Sequence, residues 1–163
     1  MKTLKVLFML GILLGFAVTA NSQDKGNQVE RPMKGTFYAT VVGSTGPVEE
    51  LAITGHATHL GNLTGTMFFD KTYLGVDPTT MKLTGVTTYG TLVAANGDQI
   101  DFGPDDPGMF ITGPGPSGII TGATVLSSGT GRFSDCSGMI WLTGIFNMGE
   151  DYASWTADGW IKY

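Results

Sequence analysis

Hydrophobic and polar residues alternate along most of the chain after residue 33, which is the pattern of β-strands that have one buried face. The first such stretch covers 34–42 and places three apolar residues on one face, Phe37, Ala39 and Val41. The same kind of pattern predicts seven further strands, at 51–60, 62–74, 81–95, 99–102, 119–126, 138–146 and 154–163. The chain is therefore expected to be all-β, with almost no helix.

Glycine, proline and asparagine mark the turns between these strands. Asn96-Gly97 is the strongest hairpin signal, because both residues tolerate a positive φ. Gly61-Asn62 predicts the turn between the second and third strands, and 129–138 predicts a similar hairpin between the sixth and seventh. The stretch 103–118 contains four prolines, so we expect the fifth strand to break there into an irregular connection or a lid around the apolar segment 109–112.

A repeated triplet, Ile or Leu followed by Thr and Gly, occurs in nearly every predicted strand. Its six copies begin at residues 53, 63, 83, 111, 120 and 142, a spacing too irregular for a solenoid or a propeller. Glycine inside a strand marks a bulge, a bend or a close backbone approach, and a small closed barrel needs such positions to coil its strands. We therefore expect a single closed antiparallel barrel of about eight strands, with a sandwich as the alternative.

The first residues have the features of a cleavable signal peptide. Lys2 and Lys5 form a positive start, and the uncharged apolar run at 7–20 is short for a membrane span. Small residues favour cleavage after Ser22. The predicted organisation is a signal peptide at 1–22, a disordered lead-in at 23–33 and one barrel domain at 34–163. We expect a secreted or periplasmic protein with no membrane span after cleavage.

Composition and charge argue against several classes of partner. Cleavage would remove Lys2 and Lys5, leaving seven cations against fourteen acids and a net charge of −7. An acidic chain without a basic cluster is poorly suited to nucleic acid or to an anionic membrane surface, so we expect neither. The 25 glycines are about twice the average usage and agree with few helices. A single cysteine, Cys136, forms no intramolecular disulfide.

Two groups of residues suggest metal sites but lack the required spacing. His56 and His59 are three residues apart, so on one strand their side chains would point to opposite faces. Four aspartates between residues 98 and 106 lack the spacing and the closing glutamate of a calcium-binding loop. Asp98 is expected to cap the Asn96-Gly97 turn instead. We therefore predict no metal and no cofactor.

Cys136 and Arg132 are the remaining candidates for chemistry. A catalytic cysteine would need a histidine that lowers its pKa, and we expect Cys136 to fill core volume instead. Arg132 either binds an anionic ligand or, as we favour, pairs with Asp135 or with a carboxylate at a strand end. In a small barrel the core and the wall of a ligand site are the same surface. The residues that we predict to contact a ligand are Tyr38, His59, Tyr89, Arg132 and Trp141.

Two passages resemble segments of known families. Residues 57–65, Ala-Thr-His-Leu-Gly-Asn-Leu-Thr-Gly, followed by Ala-Ala-Asn-Gly-Asp at 94–98, resemble a group of exported bacterial domains of mostly unknown function. Gly-Thr-Gly-Arg-Phe at 129–133, followed by Cys136 and Gly138, resembles the G-T-G-x-F-x-x-A-x-G segment of allene oxide cyclases and plant dirigent proteins. The resemblance implies an eight-stranded antiparallel barrel, an apolar cavity for a hydrophobic molecule, and an oligomer. No position matches the catalytic residues of these families, so none is carried over.

Three functions are compatible with these residues. The first, which we favour, is a binding protein that holds a small hydrophobic molecule in the barrel or contacts a partner through its loops. The second is an isomerase or cyclase acting on a hydrophobic substrate in the barrel. No acid–base or nucleophile–base pair is visible, which disfavours an enzyme, but a cyclase of this kind needs little such machinery. The third is a structural surface protein whose barrel is filled by its own side chains.

Overall fold

The computed structural model describes residues 28–72, 75–79, 82–84, 86–103, 109–112, 117–147 and 149–163. The predicted signal peptide at 1–22 lies outside these residues, as do residues 23–27 of the predicted lead-in. Eleven β-strands and one short 3-10 turn make up the described chain, which contains no α-helix. No helix in this part of the chain has the length and apolar character needed to span a membrane.

The strands are numbered in chain order. They are β1 (Glu30–Thr45), β2 (Val48–Ala57), β3 (Gly61–Asp70), β4 (Gly75–Val76), β5 (Lys82–Thr84), β6 (Thr87–Val93), β7 (Gln99–Phe102), β8 (Met109–Thr112), β9 (Ser117–Gly129), β10 (Ser137–Asn147) and β11 (Tyr152–Lys162). The 3-10 turn, Gly131–Phe133, lies between β9 and β10.

Eight of these strands close into an antiparallel barrel. Their order around the barrel is β1-β2-β3-β6-β7-β9-β10-β11, and β11 pairs back with β1. The short strands β4, β5 and β8 extend the sheet, because β8 pairs with β9 and with β5, and β5 pairs with β4. The predicted closed barrel of about eight strands is confirmed.

Several predicted strand boundaries are wrong. The first strand begins at Glu30, so 30–33 belong to the barrel rather than to a disordered lead-in, and Met33 is fully buried. The turn between β2 and β3 covers 58–60 rather than Gly61-Asn62, with positive φ at His59 (70°) and at Gly61 (69°). The predicted strand at 81–95 is divided into β5 and β6, and the segment at 109–112 forms β8 within the sheet.

Glycines of the repeated triplet lie where a neighbouring strand comes close. A Cβ added to Gly65 would lie 2.5 Å from the carbonyl oxygen of Thr91 on β6, and one added to Gly55 would meet the carbonyl oxygen of Thr36 on β1. Real Cβ atoms do not approach a neighbouring backbone so closely. Of the three roles that sequence allowed for a strand glycine, close backbone approach is the one these two positions show.

The two ends of the barrel differ in how they are filled. One end, here called the closed end, carries the turns at 58–60, 94–98 and 130–136, and there Glu30 pairs with Lys162. Fully or almost fully buried side chains fill this end, namely Met33, Leu60, Ile100, Leu126, Phe133, Cys136 and Ile161. The opposite end, here called the open end, carries the connections that follow β1, β3, β7 and β10. The hydrophobic core is therefore densest at the closed end.

Candidate functional site

An apolar cavity of about 210 Å³ opens at the open end of the barrel. Its wall is formed by inward side chains of β2, β3, β9, β10 and β11, chiefly Leu51, Met67, Phe69, Ile120, Phe146 and Trp155. Successive side chains of a strand point to opposite faces of the sheet. In β2, Leu51 and Ile53 therefore point to the interior, whereas Thr54 points to solvent. The cavity is therefore a direct product of the period-two pattern.

The floor of this cavity separates it from the closed end. A void of only about 20 Å³ lies below it, and Met67 and Trp155 border both spaces. The indole ring of Trp155 stacks on Phe37, with ring centroids 5.7 Å apart and planes 7° apart. Because an aromatic pair contributes about 0.5–1.5 kcal/mol beyond the burial of its area, this stack stabilises the apolar floor of the cavity.

Polar side chains lie at the mouth of the cavity. Glu49 continues the inward face of β2, and Lys71 follows β3 with the same parity as Met67 and Phe69. The ammonium group of Lys71 donates to the Glu49 carboxylate, and the two side chains are only 27% and 30% exposed. The mouth thus holds a half-buried ion pair above an apolar wall.

Asp151 also borders the mouth, separated from Glu49 by strand β1. It lies in the turn between β10 and β11 with a positive φ of 51°. Its carbonyl oxygen accepts a hydrogen bond from the backbone N–H of Val41 at 3.0 Å, which ties this turn to β1. Asn147 accepts a hydrogen bond from the N–H of Gly149 through its side-chain oxygen at 2.9 Å. The β10–β11 turn is therefore held in place beside the cavity.

Three of the predicted ligand contacts lie on the outside of the barrel. Tyr38, Tyr89 and Trp141 are 60%, 37% and 52% exposed. Tyr38 lies between Phe37 and Ala39, both of which are buried, so alternation directs its ring outward. The expectation that these aromatic residues line the interior is therefore wrong, and any contact with a ligand would be made on the outer wall.

The other two predicted contacts, His59 and Arg132, meet at the closed end. The Arg132 guanidinium donates to the carbonyl oxygen of His59 and forms an ion pair with Asp98, with Nε and Oδ2 3.5 Å apart. Nε2 of His59 lies 3.0 Å from the carbonyl oxygen of Pro32. The structure confirms the preferred pairing of Arg132 with a carboxylate at a strand end, and it places both residues far from the cavity mouth.

Asp98 connects two turns instead of capping its own. Its carboxylate accepts a hydrogen bond from the side-chain amide of Asn96 at 2.7 Å and a longer one from the backbone N–H of Arg132 at 3.4 Å. The N–H of Asp98 donates to the Asn96 side chain at 3.2 Å. The expected cap formed by the Asp98 carboxylate on its own turn is therefore replaced by a bridge between the 94–98 and 130–136 turns.

The two histidines do not converge. His56 is exposed on β2 and His59 lies in the following turn. Within the described ranges, no three His, Cys, Asp or Glu side chains come together as metal ligands would. Asp105 and Asp106 lie outside those ranges, so the predicted absence of a metal stays a prediction.

Cys136 is a core residue, as predicted. It is almost fully buried, and its thiol donates to the carbonyl oxygen of Ser128 at 3.2 Å. Burial, assisted by the negative charge of Asp101, raises the pKa of the Cys136 thiol to about 11. A thiol that stays protonated at neutral pH is a poor nucleophile, so Cys136 stabilises the closed end and takes no part in the cavity.

Glu49 was missed because the predicted second strand began at 51, whereas Lys71 lay within the predicted strand 62–74 but was not considered as a site residue. Extending that strand to Val48, where β2 begins, gives Glu49 the same parity as Leu51 and Ile53. The corresponding signal for Lys71 is the period-two series Met67, Phe69, Lys71. In this chain, charged residues that continue an apolar face at a strand end lie at the cavity mouth.

Comparison of the chain with protein families, with curated proteins and with solved structures found no match in any of the three. The class of protein is therefore defined by geometry. It is an eight-stranded antiparallel β-barrel, packed at one end and open to an apolar cavity at the other.

Proposed function

We propose that the protein binds a small hydrophobic molecule in the cavity at the open end. The observation that carries this proposal is the apolar wall around about 210 Å³ of space, bounded below by Met67 and Trp155. Eight-stranded barrels have an interior that is either filled by side chains or able to hold one small ligand. In this barrel, side chains fill the closed end, and the open end has room for a small ligand.

The size of the cavity limits the ligand. An apolar protein cavity of roughly 150 Å³ holds benzene, so about 210 Å³ corresponds to roughly eight or nine non-hydrogen atoms below the mouth. A larger molecule would extend past Glu49 and Lys71 into solvent. Burying each methylene group contributes about 0.8 kcal/mol, which gives an aliphatic chain of this length a useful affinity before its polar group is counted.

The two alternatives make different demands on this cavity. A structural protein with a filled barrel needs no open space of this size, so the cavity favours ligand binding. An isomerase or cyclase would use the same cavity, and Lys71 with Glu49 is the acid–base pair that the described wall offers it. Because these two side chains neutralise each other, we favour binding without turnover.

Native mass spectrometry of the protein purified from its own host tests the proposal. We expect a bound mass that is lost on denaturation. In Ala153→Phe, a phenyl ring on the cavity wall would occupy most of the space, and we expect the bound mass to disappear. Ala52→Phe is the matched control, because Ala52 lies between the inward Leu51 and Ile53 and so points outward. If folded Ala153→Phe retained the bound mass, the ligand would bind outside this cavity and the proposal would be refuted.

A further inference from the structure

The two ends of the barrel differ in charge as well as in packing. Among the described residues of the eight barrel strands and their turns, the open end carries five acids, Glu49, Glu50, Asp70, Glu150 and Asp151, against one lysine, Lys71. The closed end carries five acids, Glu30, Asp98, Asp101, Asp135 and Asp158, against four cations, Arg31, Lys34, Arg132 and Lys162. Among the described residues the net charge is therefore −4 at the open end and −1 at the closed end.

The pairing at the mouth determines which sign of charge a ligand can bring. Lys71 is already bound to Glu49. A ligand carboxylate could reach the Lys71 ammonium only beside the Glu49 carboxylate that is already bound to it, and the two partly buried negative charges would repel each other. Asp151 borders the same opening, and none of the described residues forms an ion pair with it. An anionic ligand therefore meets competition and repulsion at this mouth.

A cation meets the opposite situation. An ammonium group at the mouth could bond to the Glu49 carboxylate while Lys71 stays bound, because a carboxylate accepts several hydrogen bonds, and it would also meet Asp151, with which none of the described residues forms an ion pair. Charges of one sign around a low-dielectric cleft concentrate the field and raise the local concentration of the opposite ion. The remaining acids of the open end add to that field over a Debye length of roughly 10 Å at 0.1 M salt.

We propose that the ligand is a hydrophobic cation, with an apolar body in the cavity and a protonated amine between Glu49 and Asp151. This inference rests on the proposed function and adds the chemical class of the ligand to it. The apolar wall defines the site, and the charges at its mouth define the sign of the ligand. Trp155 and Phe69 contact the body, whereas the two carboxylates receive the charge.

Three eight-carbon probes that differ only in the terminal group test this inference. Octylamine, 1-octanol and octanoate are titrated into the purified protein at pH 7 and low salt, with binding measured by isothermal titration calorimetry. Like lysine, the amine is protonated at this pH. We expect octylammonium to bind about tenfold tighter than octanol, and octanoate to bind most weakly. The preference should shrink toward 1 M NaCl, where the Debye length falls to about 3 Å.

Isosteric variants locate the effect. Asp151→Asn removes one charge at the mouth and suits the positive φ of this residue, because asparagine tolerates the left-handed region. We expect this variant, and Glu49→Gln, to lose about three- to tenfold in octylammonium affinity without a change for octanol. Asp135→Asn makes the same change of charge at the exposed closed end and should leave all three affinities unchanged.

The outcomes distinguish the two proposals. Binding of none of the three probes would overturn the cavity as a ligand site, and the ligand class with it. Equal affinities for all three probes, or the tightest binding by octanoate, would overturn the cationic ligand while leaving hydrophobic binding in place. A preference for octylammonium that persists in Asp151→Asn and in Glu49→Gln would also overturn the assignment of the charge to this mouth.

Discussion

Replacing Phe133 by alanine tests whether the closed end of the barrel is what holds the fold together. Phe133 comes from the 3-10 turn between β9 and β10 and is fully buried. Its ring meets Tyr163 edge to face at 4.9 Å between centroids, and the Arg132 guanidinium lies 4.6 Å from its centre. Phe133→Ala would therefore remove a ring from the densest part of the core and two ring contacts with it.

The magnitude follows from this environment. Truncation of a buried phenylalanine to alanine costs about 3–5 kcal/mol, and the loss of the edge-to-face pair places Phe133 in the upper part of that range. A domain is typically stable by only about 5–15 kcal/mol, so the substitution should remove a large share of the stability. With a urea m-value of about 2 kcal/mol/M, a loss of about 4 kcal/mol lowers the unfolding midpoint by about 2 M.

Urea unfolding followed by tryptophan fluorescence measures this loss. Phe68→Ala is the matched control, because Phe68 lies on the partly exposed side of β3, where it stacks on Tyr89 at 5.3 Å. We expect this control to cost about 1 kcal/mol, in line with a partly exposed aromatic pair. A loss for Phe133→Ala no larger than that for Phe68→Ala would refute the conclusion that the closed end carries the core.

Three further predictions concern the wall of the barrel. In the native protein at pH 8, iodoacetamide should leave Cys136 unlabelled until urea unfolds the chain. The pKa of this thiol is about 11 when folded and about 9 when unfolded, so its contribution to stability should be complete below pH 9 and should fall between pH 9 and 11. Cys136→Ala should lack this decline. Gly65→Ala should lower the stability of the protein by about 1–3 kcal/mol in thermal unfolding, since the added Cβ would lie 2.5 Å from the carbonyl oxygen of Thr91. Gly43→Ala is the control and should be tolerated, because the atom nearest to its added Cβ is 3.7 Å away. The Asp101 carboxylate accepts hydrogen bonds from Thr91 (2.8 Å) and Ser128 (2.9 Å) and so joins β6, β7 and β9. Asp101→Ala should therefore lower the urea midpoint by an amount equivalent to about 1–3 kcal/mol. An unchanged midpoint would show that water replaces these bonds.

The alternation of side chains carried most of the information about the fold. It placed Phe37 and Ala39 inside, and the triplet glycines indicated the close strand contacts that a closed barrel requires. The same alternation predicts that Tyr38 points outward, because its neighbours Phe37 and Ala39 point inward. Residue size suggested a ligand contact there, but parity decides which face of the sheet a side chain occupies.

Long-range contacts were beyond the reach of the sequence. The Lys71–Glu49 pair joins the two ends of a hairpin, and it can be found only if β2 is given its full length, from Val48. The bridge from Asp98 to Arg132 spans two turns whose closeness depends on β7 pairing with β9. The left-handed backbone of His59 carries no sequence signal comparable with Asn96-Gly97, so the turn between β2 and β3 was placed too late.

The pairing of Glu30 with Lys162 has a consequence for how the barrel can be attached to other molecules. Their side chains form an ion pair, with Nζ and Oε2 3.5 Å apart, so the first and last strands leave the barrel side by side. Neighbouring ends of this kind allow circular permutation and insertion into another domain. Because both strands end on the side opposite the cavity, a tether or a fusion partner joined to either one would leave the mouth of the cavity unobstructed.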